Sequence, residues 1–410
     1  MSHTRPRGWR RLAVLAMAPL LALSATAATA QGVWVTAPPL PTTRVGVTGA
    51  AADCPEGLRG TCVYAVGGSV LGDALTAYSP SVGTWVTLPP VKTPRFGQTT
   101  TTAPCPDGVR GDCVYTLGGA GLATAEAYSV ETNAWLTIRS LTSVRSNAAS
   151  ATAPCPDDLG LHGTCVYIFG GTDGANPLTT VEAYSPVTNT WATLSPLQTA
   201  RFNHTGTAAP CPGDLGLKGT CVYAIGGATT GIPDLASVEV YSPLLNAWQY
   251  VPDMPTARSD TPGAATAPCP DGMTDGCVYV LGGLNGATGL TTAEAYSPVT
   301  NAWVTLPPMP TPHREFGVAA APCPKNTRND CVYAFGGLDA AAAATATTEA
   351  FTIERAQAGS KPKPNPNPSS TPSAHPKPSA QPSAPSDDPF EDTPLATAPK
   401  APKPGVAPAS

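Results

Sequence analysis

A segment of roughly 50 residues is written six times along this chain: a cysteine followed by proline, a polar loop, a second cysteine, Val-Tyr, two residues and Gly-Gly. A tyrosine or phenylalanine follows each Gly-Gly, and a tryptophan follows the tyrosine in the first five copies. The paired cysteines are Cys54 and Cys62, Cys105 and Cys113, Cys155 and Cys165, Cys211 and Cys221, Cys269 and Cys277, Cys323 and Cys331. One such unit is too small to bury its own apolar face, so units of this period must pack on one another as a propeller or a solenoid.

Each unit reads as four short strands. In the second copy these are Phe96 to Ala103 (strand a), Cys113 to Leu117 (b), Thr124 to Ser129 (c) and Ala134 to Ile138 (d), separated by turn residues such as Gly118-Gly119 and Glu131-Thr-Asn. Strand a is built of small residues, as in Thr99-Thr-Thr-Thr-Ala103 and Val318-Ala-Ala-Ala321. Innermost strands converging on an axis leave room only for small side chains, whereas two packed sheets would demand large alternating ones.

The Gly-Gly, Glu-x-Tyr, Thr-Asn-x-Trp and Pro-rich turn ending in Arg together resemble the kelch repeat. The resemblance spans residues 31–355 and implies an all-β, six-bladed propeller with four antiparallel strands per blade. It implies little about activity, because kelch proteins include scaffolds, ligand binders and a few enzymes. The last copy ends at Phe351-Thr-Ile353 without its tryptophan strand, while Trp34 precedes the first Gly-Gly. Val33-Trp34-Val35 is therefore expected to supply the missing strand and close the ring, leaving no free sheet edge.

Residues 1–30 carry Arg5, Arg7, Arg10 and Arg11, an apolar run from Leu12 to Leu23, and Ala28-Thr29-Ala30. That order is the build of a secretory signal peptide, with the mature chain beginning at Gln31. Its removal takes away four arginines and no acid, moving the formal charge from -5 to -9. With 12% charged residues and no basic stripe, nucleic acid and anionic membrane are disfavoured partners, and no later apolar run is long enough for a membrane span. Over 356–410, proline at nearly every second or third place excludes helix and sheet, so a disordered, extended tail is expected. Such a tail also suits a spacer through a cell wall.

Twelve cysteines spaced by eight or ten in an exported chain read as six hairpin disulfides rather than zinc ligands, which favour shorter spacings and accompanying histidines. No metal and no cofactor is expected, and the protein should be a secreted or cell-surface monomer.

Loops on a rigid scaffold carry function, and the b–c loops vary most, including the one with Asp173 and Asn176. The face carrying the b–c and d–a connections is thus the expected ligand face. It also holds an arginine ten residues after each tryptophan: Arg44, Arg95, Arg145, Arg201 and Arg258. The sixth place falls on His313, unless a one-residue slip puts Arg314 there, with Glu315 following. Two roles are open to this ring. The arginines can pair with Glu126, Glu182, Glu239, Glu294 and the like-placed Glu349 and so tie blades together, or converge on an anionic ligand. Blade one has Thr76 in place of the glutamate, which would free Arg44.

The function expected on this basis is an extracellular module binding a glycan or protein, with catalytic residues not identified. The main alternative is a sialic-acid-type sugar mutarotase or epimerase, which the resemblance to exported six-bladed kelch proteins implies, and for which Arg44, Arg95, His313 and Glu315 could serve. A copper radical oxidase of the galactose-oxidase type, drawing on His204 and His313, is weaker because no ligand spacing supports it. The residues that break the repeat symmetry are few: Arg139, His204, Asp260, His313 and Glu315.

Overall fold

The computed structural model describes residues 32–353 apart from 69–70, 107, 157–158, 261–262, 271–275 and 325–328. The expected signal segment and tail lie outside the described residues. Among these residues, six four-stranded antiparallel sheets form the blades of a propeller, each with its strands in the order a-b-c-d from the axis outward.

Blade 1 runs through Thr48–Asp53, Thr61–Val66, Leu75–Ser79 and Thr84–Leu88; blade 2 through Thr99–Pro104, Asp112–Leu117, Ala125–Ser129 and Ala134–Ile138. Blade 3 comprises Ala149–Pro154, Thr164–Phe169, Val181–Ser185 and Thr190–Leu194, and blade 4 Thr205–Pro210, Thr220–Ile225, Val238–Ser242 and Ala247–Val251. Blade 5 comprises Ala264–Pro268, Gly276–Leu281, Ala293–Ser297 and Ala302–Leu306. Blade 6 comprises Gly317–Pro322, Asp330–Phe335 and Thr348–Ile353, and its outer strand is the N-terminal Gly32–Ala37, with Trp34 opposite Phe351. The ring closes as the repeat count requires.

The repeated residues have specific duties. The strand-b tyrosine is fully buried and donates its hydroxyl to the carbonyl at the end of strand a, as Tyr115 does to Pro104 at 2.6 Å and Tyr279 to Pro268 at 2.6 Å. That satisfies the one polar atom on a large apolar side chain. The strand-c tyrosine donates to the asparagine of the c–d turn, Tyr128 to Asn133 and Tyr296 to Asn301. That asparagine sits at positive φ, 51° at Asn133, where a short side chain that hydrogen-bonds locally is tolerated. Blade 1 has Gly83 there, and the Tyr78 hydroxyl is left buried without a partner. Each blade tryptophan donates its indole N–H to a carbonyl on the connector leaving the preceding blade: Trp135 to Pro89, Trp248 to Ser195, Trp85 to Pro38. Trp34 does the same to Pro307 at 2.8 Å, so the closing blade is strapped like the others.

Apolar packing sits between blades. One such layer joins Ala50, Tyr64, Val66 and Leu75 of blade 1 to Val114, Tyr128 and Trp135 of blade 2. Around the axis, neighbouring strands a are linked by hydroxyls, Thr48 to Thr100 at 2.6 Å, Thr99 to Ser150 at 2.7 Å and Thr101 to Thr152 at 2.9 Å. The Gly-Gly pair is demanded by close approach: a Cβ on Gly118 would stand 2.6 Å from the Arg145 carbonyl, and one on Gly119 would stand 2.7 Å from that of Phe96. All six disulfides join the residue just past strand a to the start of strand b, with Cα separations of 4.8–4.9 Å.

Candidate functional site

Strand a of blade 2 begins at Thr99, three residues later than the sequence suggested. Phe96, Gly97 and Gln98 instead turn across the end of the propeller, because Gly97 takes φ 64° and breaks the extended run. The equivalent turn in every blade places one left-handed residue two positions after the arginine slot: Gly46, Gly97, Asn147, Asn203, Asp260 and Glu315, with φ between 50° and 68°. Their backbones link blade to blade. The N–H of Asn147 donates to Gly97 O at 2.7 Å, that of Asn203 to Asn147 O at 3.0 Å, that of Glu315 to Asp260 O at 3.1 Å, and that of Gly46 to Glu315 O at 2.8 Å.

This ring rims a cavity of about 620 Å3 at the axis, on the face formed by the b–c and d–a connections. Four slot side chains reach it, Asn147, Asn203, Asp260 and Glu315, while blades 1 and 2 contribute glycine. A Cβ on Gly97 would stand 2.3 Å from Asn147 Oδ1, so the glycine also makes room for its neighbour. Gln98 and His204 lie one residue further along the chain and deeper, 4% and 3% exposed. Phe96, 49% exposed, stands at the mouth.

The arginines lie inside the fold. Arg95, Arg145, Arg201 and Arg258 are buried and bonded to Glu126, Glu182, Glu239 and Glu294. The Arg201–Glu239 and Arg258–Glu294 contacts are 2.7 Å. Each guanidinium also holds carbonyls of its own blade, as Arg201 does with Gly226 O at 2.9 Å and Ser237 O at 3.0 Å. Glu126, Glu182 and Glu239 accept backbone N–H groups of the arriving connector, Lys92 and Thr93 in the case of Glu126, and Glu294 accepts the Thr256 hydroxyl. The pair therefore closes within one blade, where a tie between blades was expected. It joins neighbours only by pinning the connector between them. Burial lowers the pKa of each arginine, and the glutamate opposes that shift.

Arg44, without a glutamate, is not freed towards the cavity. It is 2% exposed, donates to Ala65 O at 3.1 Å, and burial pulls its pKa down to about 10. His313 occupies the sixth slot, its Nδ1 2.7 Å from Gly336 O in the place of an arginine, and Thr311 bridges its Nε2 to Glu349. The one-residue slip is thus excluded, and Arg314 sits out of register, bridged by backbone to Leu338. Asp173 and Asn176 are exposed, with the Asp173 carboxylate accepting the N–H groups of Ala175 and Asn176 at 2.8 Å each within its own loop.

Of the symmetry-breaking residues, the structure gathers His204, Asp260 and Glu315 at the cavity, leaves His313 beneath the rim and places Arg139 on the exterior. His313 has both ring nitrogens engaged, so His204 and His313 do not form a ligand pair. Asp260 accepts the Asn203 amide at 2.5 Å, and burial, opposed by Arg314, raises its pKa. Glu315 is raised chiefly by burial and then by Asp260, again opposed by Arg314. His204 packs on Phe169, leans towards the Phe169 carbonyl without closing a well-formed hydrogen bond on either ring nitrogen, and is held neutral by burial. The sequence reading overlooked Gln98, Asn147, Asn203 and Phe96. Counting two residues past each arginine slot, to a position filled only by Gly, Asn, Asp or Glu, would have found the ring.

The Kelch motif family model matches residues 159–198, 217–255 and 265–310. Similar proteins include Kelch-like protein 35 of Mus musculus, 27% identical over 48% of this chain and 29% of that protein, and Kelch-like protein 23 of Homo sapiens, 32% identical over 39% and 26%. The chain thus spans between a quarter and a third of these relatives' length. Among solved structures, that titled "Structure of YjhT" superposes with a TM-score of 0.52 at 14% identity, covering 76% of this chain and 95% of that one, a likeness of fold.

Proposed function

We propose, for a chain that belongs to the kelch-repeat family, that this is an exported binding module whose ligand enters the axial cavity on the b–c/d–a face. The observation that carries the reading is the rim itself. Six equivalent backbone positions project inward, and the chain fills them unequally, with two glycines, two amides and two carboxylates. Equivalent slots with no ligand to meet have no reason to diverge in this way, whereas the arginine slot beneath them stays nearly constant because it serves the scaffold. Concave sites with a few convergent polar groups on a rigid frame are where small ligands bind. Six disulfides fit an oxidising exterior. The organisation that goes with this reading is a cleaved signal over 1–30, the propeller over 31–355 and a tail over 356–410 that acts as a spacer.

The test is binding of the secreted chain to a glycan array and to cell-wall extract, beside the Asn147→Gly/Asn203→Gly variant. Glycine already occupies this slot in two blades, so the variant keeps the backbone and removes the side chains. Ligand captured by the parent and lost by the variant supports the reading; equal capture by both refutes it.

A mutarotase is the second reading, favoured by two carboxylates of raised pKa in a cavity, where proton-exchanging groups concentrate. Against it, no arginine or lysine is among the described residues lining the cavity, so a sugar carboxylate would lack its partner. NMR of anomer exchange in N-acetylneuraminic acid is expected to show no acceleration.

A further inference from the structure

We infer that Asn285 is a modification site, its side-chain amide lost through attack by the Gly286 backbone nitrogen, and that Asp234 of the neighbouring blade governs the rate by holding that nitrogen. None of this depends on what the axial cavity binds.

Asn285-Gly286 is the one Asn-Gly pair in the sequence, and Asn285 is exposed. The b–c connection of blade 5 is a small hairpin: Leu284–Asn285 pairs antiparallel with Thr288–Gly289, and the chain turns through Gly286 and Ala287, with Gly286 at φ 60°. A two-residue turn of that shape demands glycine at its first central position, so the hairpin itself creates the pair. With no Cβ on Gly286 to obstruct the approach, its nitrogen can reach Asn285 Cγ once the turn opens. As the amide proton passes to solvent, the nitrogen–Cγ bond closes a succinimide, the Cγ–Nδ2 bond breaks, and the side-chain nitrogen takes up a proton and leaves as ammonia. Water then opens the imide at Cγ to give aspartate, or at the main-chain carbonyl to give isoaspartate, whose backbone runs through Cγ and is one methylene longer.

The fold holds both reacting groups. The Gly286 N–H donates to Asp234 Oδ2 at 2.7 Å, and Asn285 Nδ2 donates to Ala257 O at 2.8 Å. A carboxylate accepting that N–H favours the protonated nitrogen, and its negative charge opposes the anion that must form there. The Asn285 amide is meanwhile kept on the connector between blades 4 and 5. Asp234 is itself fixed, its Oδ1 accepting the Ser259 hydroxyl at 2.7 Å, while Ser259 exchanges backbone hydrogen bonds of 2.9 and 2.8 Å with Leu284 at the foot of the hairpin. The b–c loop of blade 4, the connector and the hairpin thus form one clasp, and Asn285 reacts from the fraction of molecules in which it is open. Ser259 precedes the rim residue Asp260, and the charge of Asp234 already reaches Asp260. A new carboxylate at 285 adds negative charge beside Asp234, and the longer backbone of the isoaspartyl form no longer fits a two-residue turn. The modification therefore loosens the hairpin that backs this part of the rim.

The test is peptide mapping of the secreted full chain by mass spectrometry during incubation in mildly alkaline buffer, with the reduced, denatured chain as the unclasped reference. Asn285 in the native parent is expected to convert at least about 10-fold more slowly than in the reference. Asp234→Ala should raise the native rate about 10- to 100-fold, the factor for one charge-assisted hydrogen bond. Ser259→Ala, which frees Asp234 without removing it, should raise the rate by less. Hydrogen exchange across Ala293–Ser297 of the same blade should stay unchanged in both variants. An equal rise there would mean that the blade rather than the clasp had opened, and would overturn the assignment to Asp234. A native parent converting as fast as the reference would overturn the clasp. An Asp234→Ala rate equal to the parent's would overturn the role of Asp234, and a slower one would reverse it by making Asp234 a base for the attack. Conversion at another asparagine ahead of Asn285 would overturn the site.

Discussion

Glu239→Ala tests whether each buried pair clamps its blade to the connector that arrives at it. Glu239 is 0% exposed and accepts Arg201 Nη2 at 2.7 Å, Gln198 N at 2.7 Å and Thr199 N at 3.0 Å. Truncating it leaves a guanidinium buried without its counter-ion and two connector amides without their acceptor. Arg201 cannot swing outward to recover hydration, because its Nη1 still serves Gly226 O and Ser237 O and leaving would orphan both. Breaking one partner out of a buried pair costs about 3–5 kcal/mol, and the blocked escape argues for the upper half. With a urea m-value of about 3 kcal/mol/M, the unfolding midpoint should fall by about 1.3–1.7 M. The assay is urea unfolding of the oxidised protein followed by tryptophan fluorescence, with exposed Glu131→Ala as control. Glu239→Gln, which keeps an acceptor but loses the charge, should lie between them. A loss for Glu239→Ala below about 1 kcal/mol, the size expected of exposed pairs, would refute the clamp.

Blade 1 offers a repair. Gly83→Asn supplies the buried Tyr78 hydroxyl with the acceptor its counterparts have, at a position already at φ 77°, and should gain about 1 kcal/mol in thermal unfolding. Trp34→Ala removes the strap to Pro307 and loosens the closing strand. A loss of about 3 kcal/mol is expected, with hydrogen exchange rising first across Thr348–Ile353. Replacing Cys211 and Cys221 by serine should cost about 2.5–3 kcal/mol on the chain-entropy account, a difference from the parent that full reduction abolishes. Glu315→Gln should raise the thermal midpoint at neutral pH. The native state holds the Glu315 proton more tightly than the unfolded chain does, so ionisation on raising the pH through the carboxylate range disfavours folding. Below that range both states are protonated and the advantage of the variant should vanish.

The architecture was legible because every blade repeats the same local chemistry. Gly-Gly, the buried tyrosines, the turn asparagine and the tryptophan each meet a need set within a blade or against its neighbour, so six copies state the same requirement six times. Even ring closure followed from a count, since a tryptophan before the first blade and none after the last leaves one arrangement without a free edge. The arginines were harder to read. Their spacing announced a ring, and a ring of cations invites an anion, yet whether a guanidinium faces ligand or glutamate depends on burial, and strand c brings Glu126 to Arg95 across 31 residues of sequence.

The rim illustrates the limit most clearly. Asn147, Asn203, Asp260 and Glu315 are separated by more than 50 residues each along the chain and look like ordinary turn residues, because what unites them is a positive φ and a shared axis. The sequence by itself determined the strands, the disulfide pairs and the number of blades, since those rest on contacts whose partners recur at a fixed spacing. Only the tertiary structure decided which side chains surround the cavity, because closing the ring brings six distant turns to one point and burial there reverses what each charge can do.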